Sequence, residues 1–248
     1  MLRNASAIKG YAIVASDGVI GTVSDFLFDD ARWSVRWLVV ATGGFFNRRE
    51  VLLPTAAVTH LSADEKQFSV DLTMQQVKDS PDVDTDLPVS RQTERMLYDS
   101  YGWSPYWDRT SFAGGYGFVS GAAQDLPSPG SWREKHDVDN IDDGDPHLRS
   151  IAAVTGYHIE ATDGDIGHVE DFLLRDGKWH IDYLVVDTNN WWPGKKVLIS
   201  PASIKSIDWA DRSVEISVAR QTVKDSPAYD PSTAIDASYE KQFSRHYE

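Results

Sequence analysis

The sequence predicts a mainly β protein made of two similar small domains, each a curled sheet followed by a C-terminal helix, joined by a long linker. Three observations carry this. Residues 2–102 align with residues 148–248 without a gap, at a constant offset of 146, and roughly one third of the paired positions are identical. A repeat fixes the size of the folding unit, and about 100 residues is the size of one ordinary domain. Within each copy, short runs rich in Val, Ile, Leu and aromatics are separated by Asp-Gly and other polar turns, the pattern of strands rather than helices. The chain is also 41% apolar and 25% charged over 248 residues, enough to bury real cores. The expected organisation is a first domain over 2–102, a linker over 103–147 and a second domain over 148–248.

In the first copy the expected strands are residues 10–15, 21–29, 35–42, 51–54, 58–61 and 67–72, in meander order. Asp17-Gly18 and Asp163-Gly164 supply residues that accept a positive φ in a tight hairpin turn. Gly21 and Gly167 open the next strand where a side chain would crowd a bend. Alternation along that strand puts Val23, Asp25 and Leu27 on one face and Ser24, Phe26 and Phe28 on the other. Ser80-Pro81 and Ser226-Pro227 end whatever short helix precedes them, because proline restricts its predecessor and removes a donor. Helices follow over 90–101 and 238–247, with Met96, Leu97 and Tyr101 at apolar spacing in the first.

The linker is rich in Gly, Pro, Ser and Asp, a tether's composition. It also holds Trp103, Tyr106, Trp107, Phe112, Tyr116, Phe118 and Trp132, which a purely solvated tether has no reason to contain. Its aromatic first half is therefore expected to pack on a domain or a partner, and its acidic second half to be looser.

Net charge is −14, and no segment is basic. A surface that tracks phosphates needs clustered Lys and Arg, so direct nucleic-acid binding is not expected. The absence of cysteine excludes disulfides, thiolate metal sites and a Cys nucleophile. The N-terminus lacks the apolar core of a signal peptide, and no apolar run is long enough to span a bilayer. A cytoplasmic protein is expected, with room for a peripheral position at the cytoplasmic membrane face.

Catalytic and metal motifs find little support. Asp17, Asp25, Asp163 and Asp171 recur at equivalent places, and paired carboxylates can act as acid and base, yet residues kept in both copies fit turn and strand-end hydrogen bonds better. The seven histidines form no close pair of the kind that binds zinc. Residues 139–150 place Ile141 and Ser150 where a calcium loop needs strong oxygen ligands. Gly114-Gly115-Tyr116-Gly117 follows no predicted strand and precedes no Lys-Ser/Thr pair. No nucleophile elbow is present. The expectation is a protein that is not an enzyme and carries no cofactor or metal.

The connection between the third and fourth strands is more informative. Phe45-Phe46-Asn47-Arg48-Arg49 is matched by Trp191-Trp192-Pro193-Gly194-Lys195-Lys196, so each tip bears two aromatics followed by cations. Aromatics and Arg dominate binding energy in many interfaces. The candidate partner-binding residues are therefore Phe45, Phe46, Arg48, Arg49, Trp191, Trp192, Lys195 and Lys196, with Trp103, Tyr106 and Trp107 of the linker. The competing expectation is that the rings fold back into the core.

The pattern G-x-x-I/V-x-x-x-D-G-x-I-G-x-V-x-D-F-L, then W-x-x-x-x-L-V-V, then V-L-I/L, read from Gly10 and again from Gly156, resembles the PRC-barrel family. The likeness covers about residues 8–84 and 154–230. It implies two PRC-type small β-barrels, each with a C-terminal helix. In this family such barrels serve docking onto other macromolecules, as in the cytoplasmic domain of photosynthetic reaction-centre H subunits, a ribosome maturation factor and stand-alone bacterial proteins. The leading expectation is a non-catalytic tandem scaffold binding one or more protein partners, a membrane protein complex of the reaction-centre type among them. The alternatives are a ribosome-assembly adaptor, and a small-ligand binder or hydrolase using a barrel mouth.

Overall fold

The computed structural model describes residues 1–43, 49–80, 147–188, 195–233, 235 and 237–247. In the first copy, β1 (Leu2–Asn4) and a single turn α1 (Ala5–Ile8) precede β2 (Ala12–Ala15), β3 (Gly18–Asp29), β4 (Ser34–Thr42), β5 (Arg49–Pro54), β6 (Val58–Ser62), β7 (Gln67–Val70) and the short helix α2 (Met74–Lys78). The second copy repeats this order with β8 (Leu148–Ser150), α3 (Ile151–Val154), β9 (His158–Ala161), β10 (Gly164–Arg175), β11 (His180–Asp187), β12 (Lys196–Ile199), β13 (Ile204–Asp208), β14 (Ser213–Ile216) and α4 (Arg220–Asp225). The chain then forms α5 (Ala237–Tyr247), the helix expected over 238–247. The helix expected over 90–101, and the linker apart from His147, lie outside the described residues.

All six strands expected in the first copy form, but they are not a simple meander. β7 returns beside β2 and pairs with it in parallel, Ile13 against Phe68, and β14 does the same with β9, Ile159 against Val214. The path bends because β5 ends at a buried corner, Leu53 and Ala57, from which the β6–β7 hairpin swings back under the sheet. One open sheet results, in the order β13-β14-β9-β10-β11-β4-β3-β2-β7-β6.

Strict alternation along β3 also fails. Val23 faces Val40 and Asp25 faces Val39, so Ser24 is an extra residue; further on, Leu27 faces Trp37 and Phe28 faces Val35, so Arg36 is extra on β4. A bulge adds one residue and reverses which face the following side chains take. Phe26, Leu27 and Phe28 beyond the first bulge are all buried, so both faces of β3 are covered there. The same two bulges recur between β10 and β11.

The two copies are not self-contained. β1 pairs with β10 of the second copy, Leu2 against Arg175 and Asn4 against Leu173, while β8 pairs with β3 of the first, Leu148 against Asp29 and Ser150 against Leu27. Each copy thus lends its first strand and turn to the other. The exchanged segments bury Ala5, Ile8, Leu148, Ile151 and Val154, and each large aliphatic side chain removed from water stabilises by about 1.5–3 kcal/mol. Where β4 and β11 cross, the Val35 amide donates to the Trp179 carbonyl and the Ile181 amide to the Trp33 carbonyl, both at 2.7 Å. Trp33 and Trp179 occupy matching sites, each with φ of 54°. Such left-handed backbone costs a residue with a Cβ roughly 1–2 kcal/mol. Packing offsets it, since Trp33 stacks on Phe28 at 5.6 Å and Trp179 reaches into the first copy to Phe68 at 5.8 Å. One hydrophobic cluster runs through both copies, with Trp37, Phe26, Phe28, Phe68 and Phe172 among its fully buried members.

The crowding expected at Gly21 and Gly167 is explicit. A Cβ at Gly21 would lie 2.1 Å from the Ala41 carbonyl oxygen, and one at Gly167 would lie 2.0 Å from that of Asp187. Gly10 differs: its φ is +84°, and a Cβ there would meet no atom of the described residues within 4 Å. Gly21→Ala is therefore expected to cost about 3 kcal/mol or more, since backbone must move, whereas Gly10→Ala should cost about 1–2 kcal/mol from φ alone. Urea denaturation of the two variants measures the difference, and equal losses would show that the contact at Gly21 is not limiting.

Candidate interaction surfaces

The recurring aspartates are fixed by backbone and hydroxyl donors. Asp17 Oδ1 accepts from the Met74 amide and Asp163 Oδ1 from the Arg220 amide, both at 2.7 Å, so each hairpin turn caps the first amide of a short helix. A carboxylate at a helix start receives an otherwise unpartnered N–H group. Asp25 and Asp171 act across the exchange. Asp25 Oδ1 accepts from the Ala152 amide at 3.0 Å and Oδ2 accepts from the Ser150 hydroxyl, whose oxygen in turn accepts from the Ala153 amide at 2.9 Å. Asp171 mirrors this, accepting from the Ser6 amide at 3.2 Å, the Ser6 hydroxyl, the Asn4 side-chain amide at 2.9 Å and the Phe172 amide at 2.8 Å.

Of the candidate tip residues, Phe45, Phe46, Arg48, Trp191 and Trp192 lie outside the described residues, as do Trp103, Tyr106 and Trp107. The cations that follow the tips have internal partners. Arg49 donates to the carbonyls of Lys78, at 2.7 Å, and Ser80. Lys195 donates to the equivalent carbonyls of Lys224 and Ser226. Both therefore clamp the C-terminal ends of α2 and α4, where orphan carbonyls favour a positive charge. Burial holds the Lys195 ammonium below its usual range, the nearby Asp225 carboxylate opposing it. Lys196 pairs with Glu170. The sequence pattern groups these cations with the aromatics, while the structure ties Arg49 and Lys195 to the base of the tip.

A cleft of about 470 Å³, with no counterpart among the sequence motifs, opens between β6 of the first copy and the β1 edge with the β10–β11 turn of the second. Arg3, Ile8, Leu61, Arg175, Asp176 and Trp179 are among its walls. Arg3 is held there by Asp176 at 3.0 Å. Because the walls come from both copies, the exchange of β1 and the crossing of β4 and β11 together assemble them. Just beyond β6 the two copies differ in aromatic content, Ala63 standing where the second copy has Trp209.

Among the described residues, no group of three or more His, Asp or Glu is placed to hold a metal ion. None of the described helices is long and apolar enough to cross a membrane.

The family model of the PRC-barrel domain matches residues 2–76, which span β1 to α2. No curated protein sequence matches the chain.

Burial raises the Asp25 carboxyl above its ordinary value of 3.8, against the opposing pull of Ser150 and the Phe26 and Ala152 amides. A carboxyl whose folded pKa exceeds its unfolded pKa adds stability that is complete below about pH 3.8 and lost as pH rises through the folded value. Asp25→Asn is neutral throughout, so its stability relative to the wild type should improve as pH rises above about 3.8 and level off once the folded carboxyl has ionised. Asp171→Ala strips the acceptor from four donors at a buried site and should cost about 2–3 kcal/mol at neutral pH. Chemical denaturation across pH checks both, and a pH-independent difference for Asp25→Asn would contradict the first.

Proposed function

We propose that this chain, whose first repeat is a PRC-barrel domain, is a non-catalytic scaffold that presents two related docking tips to one larger assembly. The observation that carries this is the crossing of β4 and β11. They pair antiparallel at their first residues, Ser34 against His180, and then run apart to Thr42 and Asp187. At about 3.3 Å per residue, the two tip connections start at opposite ends of a span of at most roughly 50 Å. A body whose two aromatic-bearing connections leave from opposite strand ends is suited to bivalent attachment, in which the second contact is made at high effective concentration.

The finer reading is a peripheral subunit at the cytoplasmic face of a membrane complex of the reaction-centre type. The resemblance of the first repeat to the H-subunit domain supports it, and the net charge of −14 favours attachment through a protein partner over direct adsorption to anionic lipid. The four aspartates recurring in both copies are occupied by helix amides and exchanged turns, which fits a scaffold better than an acid–base site.

The test is capture of partners from solubilised native membranes by the full chain. Trp191→Ala with Trp192→Ala removes one tip, and loss of a buried aromatic anchor costs on the order of 2–4 kcal/mol, at least about 30-fold in affinity. Capture should collapse while the melting temperature moves by no more than a few degrees, and Phe45→Ala with Phe46→Ala should behave alike. A melt lowered by many degrees, with capture falling only in proportion to unfolded protein, would place the rings in the core instead.

A further inference from the structure

We infer that the cleft between β6 and the exchanged β1 is a docking slot for an extended peptide segment of a partner, carrying one tryptophan-type aromatic side chain. The inference rests on the interaction reading above and names a contact separate from the tips. Two observations carry it. The first is the comparison of the two seams. Arg3 and Arg149 are equivalent, and each is held by an equivalent aspartate, Asp176 at 3.0 Å and Asp30 at 2.7 Å. At the second seam the chain places an aromatic ring over this arginine: the Trp209 ring centroid lies 5.2 Å from the Arg149 guanidinium carbon, and Trp209 meets Tyr157 edge to face at 6.1 Å. Such stacking of guanidinium on indole is favourable. At the first seam the residue equivalent to Trp209 is Ala63, which has no ring to offer, and Arg3 there lines a cleft of about 470 Å³. The protein's own second seam thus shows what chemistry the first seam accepts.

The second observation is the backbone on either side. Among the described residues, β6 is an end strand of the sheet, hydrogen-bonded to β7 alone, and β1 pairs with β10 alone. Val58, Thr59, His60 and Leu61 of β6 follow one another along the cleft wall. A strand edge beside a side-chain pocket is the arrangement in which an added peptide strand gains affinity from main-chain hydrogen bonds and specificity from the pocket. The walls are apolar at Ile8, Leu61, Leu174 and Trp179, which suits the faces of an indole, while Arg3 supplies the cation.

The test is calorimetric titration of the full chain with a capped Thr-Thr-Trp-Thr-Thr peptide, with the same peptide N-methylated on alternate amides, and with free indole. The slot predicts one saturable site for the first peptide and weaker binding for the other two. Ala63→Trp should place a ring over Arg3 as Trp209 lies over Arg149, compete for the slot and weaken binding at least about tenfold, one decade of Kd. Trp209→Ala should open the second seam and add a second site. If Ala63→Trp lowers the melt, Arg3→Ala carries the test instead, with a loss of about two- to fivefold. Absence of saturable binding into the millimolar range, or binding indifferent to both Ala63→Trp and Arg3→Ala, overturns the slot. Indole binding as tightly as the peptide overturns strand addition. Partner capture through the tips is scored in a separate assay, so either proposal can fail alone.

Discussion

Two carboxylates, Asp25 and Asp171, hold the architecture in its exchanged form. Each sits in the middle of the longest strand of one copy and accepts the amide and hydroxyl of the other copy's opening turn. Apolar burial drives the exchange, but burial is not directional. The carboxylate fixes where the turn lands, because only there do its amide and hydroxyl find an acceptor once removed from water. Everything else follows from that placement: β1 and β8 add to foreign strands, Trp179 reaches Phe68, and the two cores merge.

The duplication has been kept in geometry and relaxed in chemistry. The pair Asp29 and Arg36 in the first copy, buried with oxygen and nitrogen 3.7 Å apart, is replaced in the second by Arg175 and Asp182 at the equivalent positions with the charges reversed. Arg175 adds a second partner, Glu240 of α5, at 3.0 Å. Hydrogen bonds to both acids hold its guanidinium above its usual range. Reversal keeps the pair neutral, as the buried site of the first copy demands, while the second pair is more exposed and makes the outer faces of the two copies different. Tyr183 meets Phe243 of α5 on that same side of the second copy at 4.8 Å, within a small satellite core.

Much of the fold was legible from Gly10 onward, since Asp-Gly turns, Gly21 and the apolar runs each fix a local geometry. The bulges were not, because Ser24 and Arg36 look like ordinary members of alternating strands and only the pairing shows them to be extra. The exchange was hidden for a different reason. A gapless repeat supplies the same partners whether each opening turn folds on its own copy or on the other, and β1 is only three residues long. Arg49 and Lys195 read as binding cations because they follow aromatics; their carbonyl partners lie about thirty residues away and carry no sequence mark. The cleft was invisible for the same reason as the exchange that builds it.

A scaffold that must hold two tips at fixed separation needs its halves to move as one body, and the exchanged strands and shared core provide that coupling. The chain is therefore expected to unfold as a single cooperative unit. Differential scanning calorimetry of the full chain tests it most directly. One transition, with a van't Hoff enthalpy close to the calorimetric enthalpy, is the predicted result for a body that unfolds all or none. Two resolved transitions, or a van't Hoff enthalpy about half the calorimetric value, would show that the copies unfold independently and would contradict the account.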